Sequence, residues 1–571
     1  MSSSDEPADL FEEPPDAHAP RAGGSTDDWV GDDPTDPPPT VREPVAALAA
    51  VVLFDLLIYR TGGYAAAGLF LLGLIPVVAF GSPFRQSNWR GFAVVAGLLV
   101  LTAGRLAWLG WGGAVAAGIA LLVALGLARA GRKVWVLDLP IQALQAFPAA
   151  PAAVVALRNL LGRDHADGAG TGSHRDSGVR GAGRTSNSLS VLMPIAAGAV
   201  FAGLFLLANP DLKEMVGEWL ASVSARFGDA IRWIVPGPVQ VFLWVVVGGA
   251  TLGSLRPLVR GSLLDLTADR EAAATARRRA SRGTPSHAYS AVRNTLLVVV
   301  GVFAVYLPFE FATLWRRNFP EDFYYAGYAH EGAAWLTAAL AAATALLSAM
   351  FRGSLISDPR AGRLRTLAWI WSGLNFLLVA AVLNRLLNYV DFNGLSRMRI
   401  VGFLGIAAVA VGFAIVVAKI AWDRGFTWLV RRQARAAALV LLAGLLFPID
   451  WMAHTYNASR VANDDLPPLA LIGNHAIDLG GLLALEPLLE SDNPVVARGV
   501  AARMTLAARA LDAPRDADAP TAVARLGRYQ LARRQFEAML QRNRARIEAL
   551  LNGDAPATVA EELAVYGMRW W

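Results

Sequence analysis

Four ionisable residues, Asp55, Arg105, Glu310 and Arg385, fall inside stretches that are otherwise apolar. Holding such a group at membrane depth is costly, so each needs a partner or a role. Under the topology developed below, all four lie toward the same face. Their shared depth predicts an outward-facing polar cluster. The plainer reading of the same residues is structural: arginines reaching the interface beside Trp108 and Trp111, and an Asp55–Arg105 ion pair. A second set follows the last apolar stretch: Asp450, His454, Asn457, Asp464, Asp465, His475 and Asp478. These residue types can do acid–base work or bind metal, but their spacing specifies no site. Pro467-Pro468 and Gly480-Gly481 read as an irregular linker, so ordinary loop polarity is expected there and no metal site is assigned.

Familiar catalytic signatures are missing. No phosphate loop ends in Gly-Lys-Ser/Thr, and Gly168, Gly170 and Gly172 have no strand before them. His330-Glu331 opens like a zinc-protease helix, yet Ala334 stands where the second histidine is required. With no cysteine in the chain, disulfides, thiolate metal sites and cysteine nucleophiles drop out together. No cofactor is expected, and the balance favours a protein that is not an enzyme.

The elements that must position these residues are membrane helices. The 571 residues are 55% hydrophobic and 17% charged, with a mean hydropathy of +0.40, outside the usual range of soluble domains. Eleven apolar blocks approach the length needed to cross a hydrocarbon core. They run near 44–60, 64–81, 91–109, 111–129, 189–208, 236–255, 291–314, 327–350, 366–387, 400–419 and 433–449. The fold class is therefore all-α: a polytopic transmembrane bundle of about 11 helices, an interfacial amphipathic helix, and a helical extramembrane region at the C-terminus. The domain division is 1–43, an acidic Pro-rich tail expected to be disordered; 44–449, the transmembrane domain; and 450–571, the extramembrane region. The amphipathic segment follows Asn209-Pro210, with Leu212, Met215, Trp219, Leu220, Val223 and Phe227 on one face. Gly249 and Gly253 form a small-xxx-small pair, read as internal helix packing.

Net charge is +6, but residues 1–43 hold twelve acids against Arg21 and Arg42. The positive remainder is nearly all arginine in loops, which suits an anionic leaflet and argues against nucleic acid. Arginine accumulates in alternate loops, at Arg85 and Arg90, Arg129 to Arg184, Arg256 to Arg282, Arg352 to Arg365, and Lys419 to Arg435. Positive loops stay inside. The N-terminus is accordingly expected to be cytoplasmic and the C-terminal region external, in a multi-pass cell-membrane protein. The stretch Pro140 to Leu161, interrupted by Pro148 and Pro151, is the place where one more crossing would reverse the last assignment.

Several motifs resemble a known group. Tyr324-Tyr325-Ala326-Gly327-Tyr328 followed by Gly332 is similar to a Tyr-Ala-x-Tyr-x-x-x-Gly helix start, and Arg385 with Tyr389, then Gly394-Leu395-Ser396 and Arg399, resembles an Arg-x-x-x-Tyr…Gly-Leu-Thr-x-x-Arg segment. Asn209-Pro210 fits as well. Pro448-x-Asp450…Tyr456-Asn457 resembles a Pro-Asp…Ala-Arg-Tyr-Asn element, with His454 and Thr455 here in place of Ala-Arg. The group is a bacterial polytopic membrane family of unknown function, the domain of unknown function 4173 type, related to the 4153 type. The resemblance implies a membrane topology and the motif positions Tyr328, Gly332, Tyr389, Gly394, Arg399, Asp450, Tyr456 and Asn457. It implies no activity. Three function classes stay open: a structural, sensory or assembly protein whose C-terminal region contacts a protein partner; a transporter with the polar cluster lining its path; and a transferase acting on a lipid-linked substrate through Glu310, Asp450 or His454.

Overall fold

The computed structural model describes residues 40–83, 88–146, 236–256, most of 262–273, 289–312, 325–350, 358–422, 424–512 and 529–570, with side chains of the helix at 325–350 from Trp335 onward. The acidic tail up to residue 39, the apolar block 189–208, the amphipathic segment 209–231 and residues 147–161 lie outside the described residues. Every regular element among the described residues is helical.

Five helices make a first bundle: α1 (Arg42–Phe54), α2 (Tyr64–Gly81), α3 (Trp89–Leu109), α4 (Gly112–Arg129) and α5 (Pro238–Leu255). α1 packs between α2 and α5, and α2, α3 and α4 pack on one another. Leu71, Leu99, Leu106, Leu125 and Leu255 form their core. At Gly253 an added Cβ would run into the Ala146 backbone, so the glycine permits close approach of chain to helix. α1 begins at Arg42, and Glu43 in its first turn is buried, accepting from Arg256 Nε at 2.6 Å and Nη2 at 3.0 Å.

A second bundle comprises α6 (Tyr289–Glu310), α7 (Tyr325–Met350), α8 (Ala361–Asn393) and α9 (Arg397–Ala421). α8 lies against α6, α7 and α9. Trp371, Leu378, Leu340 and Phe413 are fully buried, with Phe303 set edge-on to Trp371 and Phe376 to Phe413. α10 (Phe426–Leu446) packs on α9 and also reaches α3 and α4, joining the two bundles.

Seven of these helices are long and apolar enough to cross a membrane, or eight if α10 and the helix after it count as one broken span. The expected count of about 11 is not reached among the described residues. One block lies outside them, and the others fall short for local reasons. The block at 44–60 is split, because α1 gives way at Asp55 to a π-helical turn (Asp55–Tyr59). The apolar part of α7 among the described residues is Trp335–Ser348. The last block ends at Pro448, where the chain bends by 64°.

Beyond that bend, α11 (Ile449–Val461), α12 (Leu469–Asn474), α13 (Leu479–Ala484), α14 (Pro494–Asp512), α15 (Leu531–Arg542), α16 (Arg544–Leu551) and α17 (Pro556–Met568) fold around a separate apolar core. Leu485, Leu488, Val500, Met504, Phe536 and Leu563 are fully buried in it. Gly499 and Gly473 bring α14 and α12 against Leu563 and the neighbouring Ala564 backbone, where a Cβ would collide. The periodic apolar faces that build this core are those of ordinary amphipathic helices.

Candidate functional site at the foot of the second bundle

α8 ends at Asn393 because Gly394 takes φ +85°, a left-handed conformation that suits glycine. A side chain there would also strike Asn457 and Pro468. Two residues later Ser396 starts α9, its hydroxyl accepting from the Arg399 amide at 3.3 Å. The tight turn 394–396 thus presents Arg397 and Arg399 on the first turn of α9.

α11 carries Asp450, His454 and Asn457 at i, i+4 and i+7, hence on one face, and all three are buried. Asn457 clasps the turn: its Oδ1 accepts from Leu395 N at 2.7 Å and its Nδ2 donates to Leu395 O at 2.7 Å. Asp450 accepts from Arg397 Nε at 2.8 Å and from Arg397 Nη2, and also from the Asp478 amide at 3.1 Å. Burial raises the Asp450 carboxyl, but the Arg397 fork and the Asp478 N–H outweigh it and hold the group below the usual aspartate range. Asp478 in turn caps α13 by accepting from Gly481 N at 2.8 Å. Burial pushes Asp478 upward, against the Gly481 hydrogen bond and with help from the negative Asp450 nearby.

His454 sits beside this pair, 6% exposed. Its Nδ1 is buried without a hydrogen-bond partner. Burial lowers its pKa to about 4 in spite of Asp450, so the imidazole is neutral at physiological pH. Arg460 reaches back to α8, donating to Val390 O at 2.7 Å and Asp391 O at 2.6 Å. Arg399 donates to Gly394 O and lies over the Tyr389 ring with its Cζ 3.8 Å from the centroid. Tyr389, Arg397, Arg399, Asp450 and His454 border a cleft of about 1010 Å³. Its polar end holds Arg397, Arg399, Asp450, His454 and His475. Its apolar end runs along α9 past Val401 and Gly405 to Ile406, with Leu386 of α8 opposite.

The four charges inside the helices do not form one hydrogen-bonded set. Glu310 and Arg385 are brought together: Arg385 Nε donates to Oε1 at 2.9 Å and Nη2 to Oε2 at 2.7 Å, with both side chains almost wholly buried. Tyr306 adds a third donor to Glu310 at 2.7 Å. Asp55 turns instead to its own bundle, accepting from Gln240 Nε2, from Trp244 Nε1 at 3.0 Å and from Arg60 Nε at 2.6 Å. Arg105 donates to Leu109 O, stacks near Trp108, and lies within electrostatic reach of Asp478 and Asp450.

Of the motif positions, Tyr389, Gly394, Arg399, Asp450 and Asn457 converge on the turn and its clasp. Tyr456 lies outside, its ring near Arg460. Tyr328 and Gly332 fall within the part of α7 before Trp335, whose side chains lie outside the described residues. Of the polar stretch after the last apolar block, Asp450, His454 and Asn457 form a buried helix face in place of the irregular linker expected, whereas Asp464, Asp465, His475 and Asp478 lie in the turns between short helices. Arg397, Arg460 and Arg503, which donates to His475 O at 2.6 Å, were not singled out by sequence reasoning. Among the described residues, no three His, Asp or Glu side chains are grouped as metal ligands.

Residues 69–478 match the sequence model of a family described as Domain of unknown function (DUF4153). The match takes in every residue bordering the cleft and stops at Asp478, before α14 to α17. The 4153 type is thus the one matched; the 4173 type is not shown. No curated protein and no solved structure matches the chain.

Proposed function

The chain belongs to the DUF4153 family, and from that premise we propose that it is a sensory or assembly protein of the bacterial inner membrane, in which the C-terminal helical unit couples the two bundles. The observation that carries the reading is a double anchorage. On the second bundle, α11 holds the 394–396 turn through Asn457, Asp450 and Arg460. On the first bundle, Gln530 accepts from Gly110 N at 3.0 Å and Gln535 of α15 accepts from Trp108 Nε1 at 3.1 Å. A rearrangement of one bundle is therefore felt at the foot of the other. The ionisable groups within the helices serve as clamps between or within helices, which supports this reading over a transport pathway.

In the proposed orientation the C-terminal unit is external and the N-terminus cytoplasmic. Helix ends support a consistent alternation: Glu43 meets Arg256, and Arg360 lies over Tyr289 at 4.0 Å, on the side opposite the C-terminal unit. Because the chain has no cysteine, single replacements give clean topology markers. Glu548→Cys should react with an impermeant thiol reagent in intact cells, and Arg363→Cys only after permeabilisation; the reverse pattern would invert the topology.

Hydrogen exchange of the full chain in nanodiscs tests the coupling. The Gln530→Ala/Gln535→Ala variant should speed exchange at 390–399, on the far bundle, as well as at 108–112. Acceleration confined to 108–112 would contradict it.

A further inference from the structure

The cleft beside the 394–396 turn changes character along its length. At one end are two arginines against one aspartate. Arg397 spends Nε and Nη2 on Asp450, leaving Nη1 without a partner on a side chain that is 61% exposed. The first turn of α9, whose Arg399 amide is capped by Ser396, begins at the same end, and a helix N-terminus favours an anion. His454 lines this end with its Nδ1 buried and without a hydrogen-bond partner, so the polar end keeps one unused ring nitrogen.

The other end is apolar. Val401 and Ile406 follow one another along α9, and Leu386 stands across from them. At Gly405 an added Cβ meets nothing within 4 Å, so the cleft is open there. From Arg397 to Ile406 the helix rises about 14 Å, close to the depth of one hydrocarbon leaflet. Met398 and Val401, 68% and 53% exposed, face outward beside the opening.

We propose that this cleft binds an amphiphile with an anionic phosphate or carboxylate headgroup and a single hydrocarbon chain. The headgroup lies against Arg397, the first turn of α9 and His454, and the chain passes Gly405 between α8 and α9. The cleft volume is at the upper end of ligand-pocket sizes. The proposal rests on the cleft alone and not on the coupling role, and its readout is separate from the exchange experiment.

The test uses the full chain in nanodiscs of zwitterionic phosphatidylcholine, labelled with a trace of dodecyl phosphate carrying a diazirine in its chain, with crosslinks mapped by mass spectrometry. Crosslinks are expected within 386–406, competed by excess dodecyl phosphate and not by dodecyltrimethylammonium or inorganic phosphate. Gly405→Leu, which fills the apolar end and favours the helix, should cut labelling at least tenfold. Gly412→Leu, another open position on α9 outside the cleft, should leave it unchanged. Met398→Glu, an exposed change that sets a negative charge at the mouth, should also weaken labelling severalfold and serves if Gly405→Leu fails to fold. Equal labelling of both these variants and the unaltered chain would overturn the proposal, and so would competition by the cationic amphiphile. Competition by inorganic phosphate as strong as by dodecyl phosphate would overturn the role of the chain.

Discussion

The acids within the bundles and the groups at their foot are satisfied in different ways. Glu310 is met by a bidentate arginine and a tyrosine, all supplied by α6 and α8, so acid and base leave water together. Asp55 is met by two neutral donors from α5 and by Arg60, whose side chain keeps 28% of its exposure. In both places the carboxylate's oxygens are occupied within the helices. At the foot of the second bundle the arrangement is less closed. Asp450 is satisfied, but Arg397 keeps a free Nη1 and His454 a buried, unsatisfied Nδ1. Closed sets fix geometry, whereas open ones leave capacity for a ligand. The contrast separates residues that hold the bundles from residues that can respond.

The contrast can be broken most sharply at Arg385. Arg385→Ala leaves Glu310 buried without its cation and should cost about 3–5 kcal/mol in unfolding free energy measured in mixed micelles. A cost below about 1 kcal/mol would remove the clamp reading. Next in size is pH. The folded-state pKa of His454, about 4, lies below its ordinary value of 6.5, so the unfolded chain takes the proton first. Its stabilising effect is complete above pH 6.5 and is lost as pH falls toward 4, by up to about 3 kcal/mol. Asp478, raised by burial, binds its proton more readily in the folded state and opposes this above 3.8, and Asp450, held low, adds loss only below 3.8. Thermal unfolding between pH 7 and 5 should therefore fall for the unaltered chain and flatten for His454→Gln; an unchanged slope would place the titration elsewhere.

Asn457→Ala removes both bonds to Leu395 and leaves a half-buried N–H and C=O unmatched, for about 1–2 kcal/mol. Faster hydrogen exchange at 394–397 would check it. The smallest effect belongs to the half-exposed i,i+4 pair Arg533–Glu537 on α15, where Arg533→Ala should change stability by no more than about 0.5 kcal/mol.

The helices were legible because apolar run length is a local signal, carried by each stretch alone. The count was less so, since a π turn at Asp55 and a bend at Pro448 interrupt runs that look continuous in composition. Glu310 and Arg385 were legible as costly charges, yet their pairing depends on how α6 and α8 pack. Asp450, His454 and Asn457 stand at helical spacing, but Pro467-Pro468 and Gly480-Gly481 nearby suggested a linker; those residues in fact punctuate short helices. The clasp of Asn457 on Leu395 joins residues 62 apart in the chain and has no local signature. The family-like motif positions marked the turn without showing what holds it.

The claim that bundle charges clamp while the foot of the second bundle binds is tested most directly by one affinity. In the double variant Glu310→Gln/Arg385→Met, the glutamine keeps an acceptor for Tyr306 and the methionine fills the arginine's space without charge, so the fold should persist. Its apparent affinity for dodecyl phosphate in nanodiscs is predicted to stay within about twofold of the unaltered chain, a difference of about 0.4 kcal/mol. A loss as large as that of Gly405→Leu would make the buried pair part of the site and contradict the account.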